Sequence, residues 1–242
     1  MAKGAVWVSR GGKPLHRLRR VKAAVRVGDR LELNYDAALL ALVPPEASLL
    51  RDAGRWSAWV KPAGLLSQGS PWGDHASLLR QVELRLGRPA FLVHRLDREV
   101  AGVILVAHDP GAAAALSALF REGRILKRYR AEVAGDVEAA HGREGIVDAP
   151  LDGKPARTLW TILSVDPLRR TTLLEVTIET GRQHQIRRHL AGIGHPVLGD
   201  PRYGEGNRAE GLRLTAVELA FSDPFGAGTV DLRAGVTDET PG

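Results

Sequence analysis

The stretch His94-Arg95-Leu96-Asp97-Arg98-Glu99-Val100-Ala101-Gly102 sets one carboxylate, Asp97, between two arginines. Directly behind it runs the apolar segment Val103-Ile104-Leu105-Val106-Ala107. A loop that feeds a buried strand carries a charge here, and such a charge is costly unless something pairs with it. The flanking arginines favour the ionised form. An ionised, well-oriented carboxylate suits nucleophilic or electrostatic work better than acid work. Glu99 shares a face with Asp97 only in a strand, which argues against a paired-carboxylate site. On these residues alone, pinning the entry to the strand is the simpler purpose for Asp97.

Two later stretches carry side chains of matching chemistry. Lys127-Arg128-Tyr129 opens a segment patterned as a strand, in which an isolated tyrosine usually reads as a half-buried packing residue. Thr180-Gly181-Arg182-Gln183-His184-Gln185-Ile186-Arg187-Arg188-His189-Leu190 reads as a turn and then a helix from about 182 to 191. Ile186, Leu190 and Ile193 form its apolar stripe. Arg187 lies about 60° from Leu190 around the axis, at roughly 100° per residue. It borders the core and can reach a half-buried carboxylate, whereas Arg188 points further out and suits a phosphate. His184 and His189 are not on one helical face and have no evident third ligand, so a metal site is not expected. A metal-dependent hydrolase built on His184, His189 and His195 is the remaining version of that idea.

The elements that must position these groups follow from hydrophobic period and turn residues. Residues 24–35 alternate around Gly28-Asp29 and predict a β-hairpin, with Val25 and Val27 facing Leu31 and Leu33. Pro44-Pro45 marks a linker. Residues 56–60 predict a strand, followed by a Lys61-Pro62-Ala63-Gly64 turn. Asp74 is expected to cap a helix with Leu78, Leu79, Val82 and Leu86 on one face and Gly87 at its end. Residues 91–93 and 103–107 predict strands. Asp109-Pro110 starts a second helix that stops at Gly123. Residues 125–133, 157–165, 171–180 and 212–221 predict further strands, the middle two forming a hairpin. The expected fold class is α+β, with a central mixed, mainly antiparallel sheet flanked by helices and loops. The organisation expected is a small basic N-terminal unit over 1–45, a catalytic domain over 46–235 and a flexible tail over 236–242.

The 242 residues can bury a sizeable core. The net charge of +6 favours a polyanionic partner, and nucleic acid is the first candidate, although an arginine-rich composition also accompanies a GC-rich genome. The basic run over 9–20 is the most suggestive segment for RNA contact. With no cysteine, disulfides, thiol nucleophiles and Cys-ligated zinc are excluded. The first residues resemble no signal peptide and the longest apolar runs are too short to span a bilayer, so a soluble, cytoplasmic protein is expected.

His94-Arg95-Leu96-Asp97, followed by Gly102 and an apolar strand, resembles the signature of the RluA-type pseudouridine synthases. Lys127-Arg128-Tyr129 resembles that family's Lys-x-Tyr strand. The stretch from Thr180 to Arg187, with Gly194-His195-Pro196-Val197-Leu198-Gly199-Asp200 and Tyr203-Gly204, resembles its third motif. Lys61-Pro62-Ala63-Gly64 is similar to the turn near the start of its catalytic domain. Val100-Ala101 stands where the family usually reads Thr-Ser. The resemblance implies isomerisation of uridine to pseudouridine in structured RNA, ribosomal or transfer. It implies Asp97 as the essential catalytic carboxylate and Arg187 as its ion-pair partner. Tyr129 would pack under the target base as a proposed base for the C5 proton. Arg95 would fill the space of a flipped-out base, and Lys61, His94, Lys127, Arg182 and Arg188 would contact RNA. No cofactor and no metal are implied, and a monomer is expected. An RNA-binding or ribosome-assembly protein that uses the same fold without catalysis is the alternative.

Overall fold

The computed structural model describes residues 2–206, 211–226 and 228–235. The tail expected over 236–242 lies outside the described residues. In chain order the elements are β1 (Val6–Ser9), β2 (His16–Arg17), β3 (Arg30–Leu33), α1 (Ala37–Ala41), β4 (Ser48–Asp52), β5 (Trp56–Lys61) and α2 (Leu78–Leu86). Then come β6 (Phe91–Leu92), β7 (Ala101–Ala107), α3 (Pro110–Arg121), β8 (Leu126–Ala134), α4 (Val137–His141) and β9 (Glu144–Asp148). β10 (Arg157–Asp166), β11 (Thr171–Ile178), α5 (Gln185–Gly192), β12 (Leu214–Ser222) and β13 (Thr229–Arg233) complete the chain.

Among the described residues the strands form two sheets, one of three strands and one of ten. The large sheet runs β4-β5-β7-β12-β8-β11-β10-β9, with β13 on β12 and β6 on β7. Its pairs are antiparallel except β7 with β12, where Thr215 faces Ala101 and Ala216 faces Gly102. The mixed, mainly antiparallel α+β architecture expected from the strand-rich pattern is the one that forms. β7 explains why: its apolar run is buried on both faces, as a central strand requires. Successive side chains alternate between faces. Ile104 and Val106 pack with Leu78 and Val82 of α2 and with Ile186 and Leu190 of α5. Val103, Leu105 and Ala107 pack with Ala112, Leu116 and Leu119 of α3.

The predicted caps hold for α3, where Asp109 accepts from the Ala112 N–H and Pro110 opens the helix. For α2 the expected stop at Gly87 holds and the N-cap is corrected. Ser77, not Asp74, accepts from the Arg80 N–H, and Gly87 closes the helix in the left-handed region. Asp74 is buried instead against Arg19, 3.1 Å from its Nε, and Arg17, at 3.6 Å. Its backbone N–H donates to the Lys3 carbonyl at 3.0 Å. Asp74 therefore fastens the N-terminal segment to the loop before α2. Arg17 and Arg19, two members of the basic run, are turned towards that carboxylate.

The hairpin expected over 24–35 is also corrected. β3 pairs with β1, Val8 opposite Leu31, and β1 is central to the small sheet. Val25 and Val27 are exposed. The reason is local: the Asp29 carboxylate accepts from the Arg26 N–H and pairs with Arg10, so residues 26–29 close a tight turn. The arm that reaches β3 is Val6–Ser9, whose Val8 is fully buried. α1, α4, β4, β9 and β13 are further elements that the periodicity did not indicate.

Candidate active site

The loop that carries Asp97 is clamped on both sides. Ser67 Oγ donates to the Leu96 carbonyl at 2.7 Å and accepts from the Leu96 N–H at 3.1 Å. The Arg98 carbonyl accepts from the Gly64 N–H at 2.7 Å, and Arg98 Nε donates to the Gly64 carbonyl at 3.1 Å. The Val100 N–H closes a turn onto the Asp97 carbonyl at 3.2 Å. Gly102 then admits the chain to β7 with φ +122°, and a Cβ there would stand 2.0 Å from the Ala216 carbonyl oxygen. Only glycine allows β7 to run this close beside β12. Val100 is buried in the core below the loop.

Asp97 keeps one-fifth of its side chain exposed, and its Oδ2 accepts from Arg187 Nη1 at 3.2 Å. Arg187 is itself held by Asp200, with Nε to Oδ2 at 2.7 Å and Nη2 to Oδ1 at 2.8 Å. This is the two-pronged geometry that suits a guanidinium and a carboxylate. Burial alone would weaken the Arg187 charge, but the bonds and charge of Asp200, and then of Asp97, more than offset it and raise its pKa. Asp200 is fully buried, which opposes ionisation. Arg187 and the backbone N–H groups of Arg202 and Tyr203 reverse that, so its pKa falls below the ordinary range. One buried carboxylate thus fixes the arginine, and the arginine fixes the partly exposed one.

Asp97 sits on the wall of a cavity of about 330 Å3 lined by Arg95, Leu96, Val100, Tyr129, Ile178, Arg182, His184, Arg187 and Leu214. That is at the lower end of the roughly 300–1,000 Å3 typical of ligand clefts. Tyr129 stands mid-sheet on β8, between Val176 of β11 and Ala216 of β12. Burial, and then the charge of Asp97, raise its phenol above the ordinary tyrosine pKa. The cavity therefore combines an apolar floor, an aromatic ring and one oriented carboxylate.

The structure brings Asp97, Tyr129, Arg187, Arg95 and Arg182 to one cavity. Arg95 is exposed at its rim, and Arg182 is fixed there by its Nε bond to the Pro155 carbonyl at 3.0 Å. Arg188 faces outward in a fork with Asp152 at 2.9 and 3.1 Å. Three other expected RNA contacts are corrected. Lys61 is fully buried, its Nζ donating to the carbonyls of Pro62, Leu65 and Arg98 at 3.1, 2.8 and 3.3 Å. Burial lowers its pKa to about 8. Lys127 is buried and donates to the Glu179 carbonyl at 3.1 Å. His94 Nε2 accepts from the Leu105 N–H at 2.9 Å and its ring stacks on Phe120. Burial, and then Lys127, push its pKa down to about 3, which keeps it a neutral acceptor. These three hold the scaffold.

The histidines of the hydrolase idea diverge. His184 faces Asp97 and Tyr203, His189 bonds Thr158 and the Ala149 carbonyl, and His195 bonds the Ala134 carbonyl. α5 begins at Gln185, not near 182. The Gln185 side chain accepts from the Thr180 hydroxyl and the Arg182 N–H, holding those residues out of the helix. Arg187 is buried outright, paired with Asp200. Asp200, Tyr203, His184 and Ser67 are site residues that periodicity did not single out. Asp200 and Tyr203 did stand in the Gly-Asp-Pro-Arg-Tyr-Gly stretch at 199–204.

Residues 55–192 match the family model described as RNA pseudouridylate synthase. The chain is 35% identical over 173 residues to ribosomal large subunit pseudouridine synthase D of Zymomonas mobilis, covering 62% of this chain and 53% of that protein. It is 31% identical over 212 residues to the dual-specificity RNA pseudouridine synthase RluA of Vibrio vulnificus, covering 77% and 83%. It thus spans about half the length of the Zymomonas protein and most of the Vibrio one. A solved structure titled human RNA pseudouridylate synthase domain containing 4 is similar in fold, with a TM-score of 0.63, 24% identity, and 77% of this chain and 87% of that one covered.

Proposed function

The chain belongs to the RNA pseudouridylate synthase family, in its RluA-type branch, and from that premise we propose that it isomerises specific uridines of ribosomal or transfer RNA to pseudouridine. The observation that carries the reading is the Asp97 carboxylate, held by Arg187 on the wall of a cavity with the Tyr129 ring in its floor. In this reaction the N1–C1′ bond breaks, the uracil turns, and a C5–C1′ bond forms. The proton on C5 leaves and N1 gains one, so the formula of the nucleotide is unchanged. No oxidant or external energy source enters, and the reading calls for no cofactor. A base inside a duplex is out of reach of a walled carboxylate, so the target is turned out of its stack at a cost of a few kcal/mol. Arg95, exposed at the rim, fills the space it leaves. Phosphate contacts along the basic surface offset that cost, and they include Lys13, Arg20, Lys22 and Arg26, all exposed on the N-terminal unit.

In this reading residues 46–235 form the catalytic domain and residues 1–45 a small basic unit fastened to it through Asp74. The protein acts as a cytoplasmic monomer with RNA as its partner. Among the described residues no helix is long and apolar enough to cross a membrane.

Pseudouridine mapping of ribosomal and transfer RNA from cells lacking the protein tests the reading. One or a few sites should be lost and restored by the intact gene, and the purified protein should modify the same sites in transcripts. An unchanged map overturns it. Tyr129→Phe then divides stacking from proton transfer, because the ring stays and the hydroxyl goes. The expected result is unchanged RNA affinity with turnover lowered on the order of 10²-fold, the scale of a lost acid–base group. Full turnover in that variant assigns Tyr129 to stacking alone.

A further inference from the structure

His184 lies within the third motif and lines the cavity, and the family resemblance assigns it no role in the reaction. It occupies the N-cap of α5, where Ser, Thr, Asp or Asn would ordinarily cap the helix. Its backbone has φ +52°, a left-handed conformation that residues other than glycine seldom hold and that recurs at functional sites. The ring serves the cavity instead of the helix: Nε2 stands 3.6 Å from Asp97 Oδ2, and Nδ1 stands 3.0 Å from the Tyr203 hydroxyl. The Tyr203 ring meets the His184 ring edge-on and lies under the Arg187 guanidinium, 5.4 Å away. The Tyr203 N–H donates to Asp200, the same carboxylate that grips Arg187. Two routes therefore leave Asp200 and meet again at Asp97, one through Arg187 and one through Tyr203 and His184.

Resting on the isomerase reading, we propose that His184, set by Tyr203, is a positioning residue that presents its Nε2–H to Asp97 and, with Arg187, holds Oδ2 so that Oδ1 faces the substrate. The tautomer follows from the partners. An ionised carboxylate only accepts, so the nitrogen facing it carries the proton, and the bare Nδ1 accepts from the Tyr203 hydroxyl. Burial lowers the His184 pKa, Asp97 opposes the shift, and Arg187 and Arg202 add to it. The ring is thus neutral near pH 7 and has one N–H to give. A neutral donor orients the carboxylate without placing a second full positive charge on it. A 3.6 Å separation is longer than a hydrogen bond, and such contacts commonly shorten in the reacting complex.

The test joins kinetics to a measurement that needs no turnover. Nitrogen chemical shifts of the His184 imidazole in the intact protein should report the Nε2–H form, and a dominant Nδ1–H form overturns the proposal. His184→Phe, which keeps a planar ring, should lower kcat roughly 10- to 100-fold with KM for RNA unchanged, as misplacement of a reacting group does. His184→Gln, which restores an N–H near Nε2, should recover part of that loss. Tyr203→Phe should lower kcat about three- to tenfold, the worth of one hydrogen bond. It should add nothing in the His184→Phe background, because Tyr203 acts through the ring. Wild-type kcat in His184→Phe, a change confined to KM, or fully multiplicative losses in the double variant each overturn the proposal. Absence of pseudouridine formation by the wild-type protein overturns the isomerase reading instead, and the tautomer still decides whether His184 serves Asp97.

Discussion

Asp97→Asn is expected to lower pseudouridine formation by roughly 10⁴-fold or more, the scale on which enzymes lose activity when the reacting group itself is removed. Asparagine keeps the shape of the side chain and removes its charge. It thereby loses the ionised oxygens that the proposed reaction uses and the negative potential facing the cavity. The fold should hardly notice. Arg187 keeps its two-pronged bond to Asp200 when Asp97 is neutralised, and the side chain of Asp97 is one-fifth exposed. Stability should change by no more than about 1 kcal/mol, as for partly exposed pairs. RNA affinity should stay near wild type, because phosphate contacts supply most of it. The decisive comparison is single-turnover isomerisation of a mapped substrate RNA beside its binding curve and a denaturant melt. If the variant still converts uridine at an appreciable rate, Asp97 is not the reacting carboxylate.

The placement of Asp97 and Arg187 beside the core was legible in the sequence because two strong patterns crossed there, while the family resemblance alone suggested their chemistry. An apolar run of period-free residues marked β7 as a central strand, and the carboxylate before it marked the loop. The apolar stripe Ile186, Leu190 and Ile193 set Arg187 next to the core. Where the expectation failed, the missing fact was a hydrogen-bond or ion-pair partner that only the folded chain supplies. Lys61, Lys127 and His94 look like RNA contacts because charge and polarity are all a sequence displays. The carbonyls that capture the two lysines come from Pro62, Leu65, Arg98 and Glu179. The amide that captures His94 belongs to Leu105. Asp74 failed as a cap for a related reason, since its partners Arg17 and Arg19 lie more than fifty residues upstream. No periodicity reports such long-range pairing. His184 drew attention only as a candidate metal ligand, because its contact with Asp97 depends on a left-handed backbone and on Tyr203, neither of which spacing reveals.

Arg187→Ala is expected to have the second-largest effect and, unlike Asp97→Asn, to reach both activity and fold. Turnover should fall on the order of 10³-fold, the upper range for loss of one preorganised charged donor. Asp200 is then left fully buried without its partner, and breaking such a pair typically costs 3–5 kcal/mol. The pH dependence identifies the cause. In the wild type the folded-state pKa of Asp200 lies below the ordinary value of 3.8. Its stabilising contribution is thus fully present above 3.8 and is lost as the pH falls through the lower, folded value. In Arg187→Ala, burial is no longer offset by the guanidinium and raises the same pKa. The penalty is therefore greatest at neutral pH and shrinks as acid protonates the orphaned carboxylate. Melts of the two proteins between neutral pH and the carboxylate range should converge on the acid side, and a constant gap would place the damage elsewhere. Arg187→Lys separates the two effects. A lysine keeps a charge beside Asp200 but has no planar fork to span Asp200 and Asp97 together. It should recover much of the stability and little of the turnover. Near-normal turnover in either variant would remove Arg187 from the site, because Asp97 would then be oriented without it.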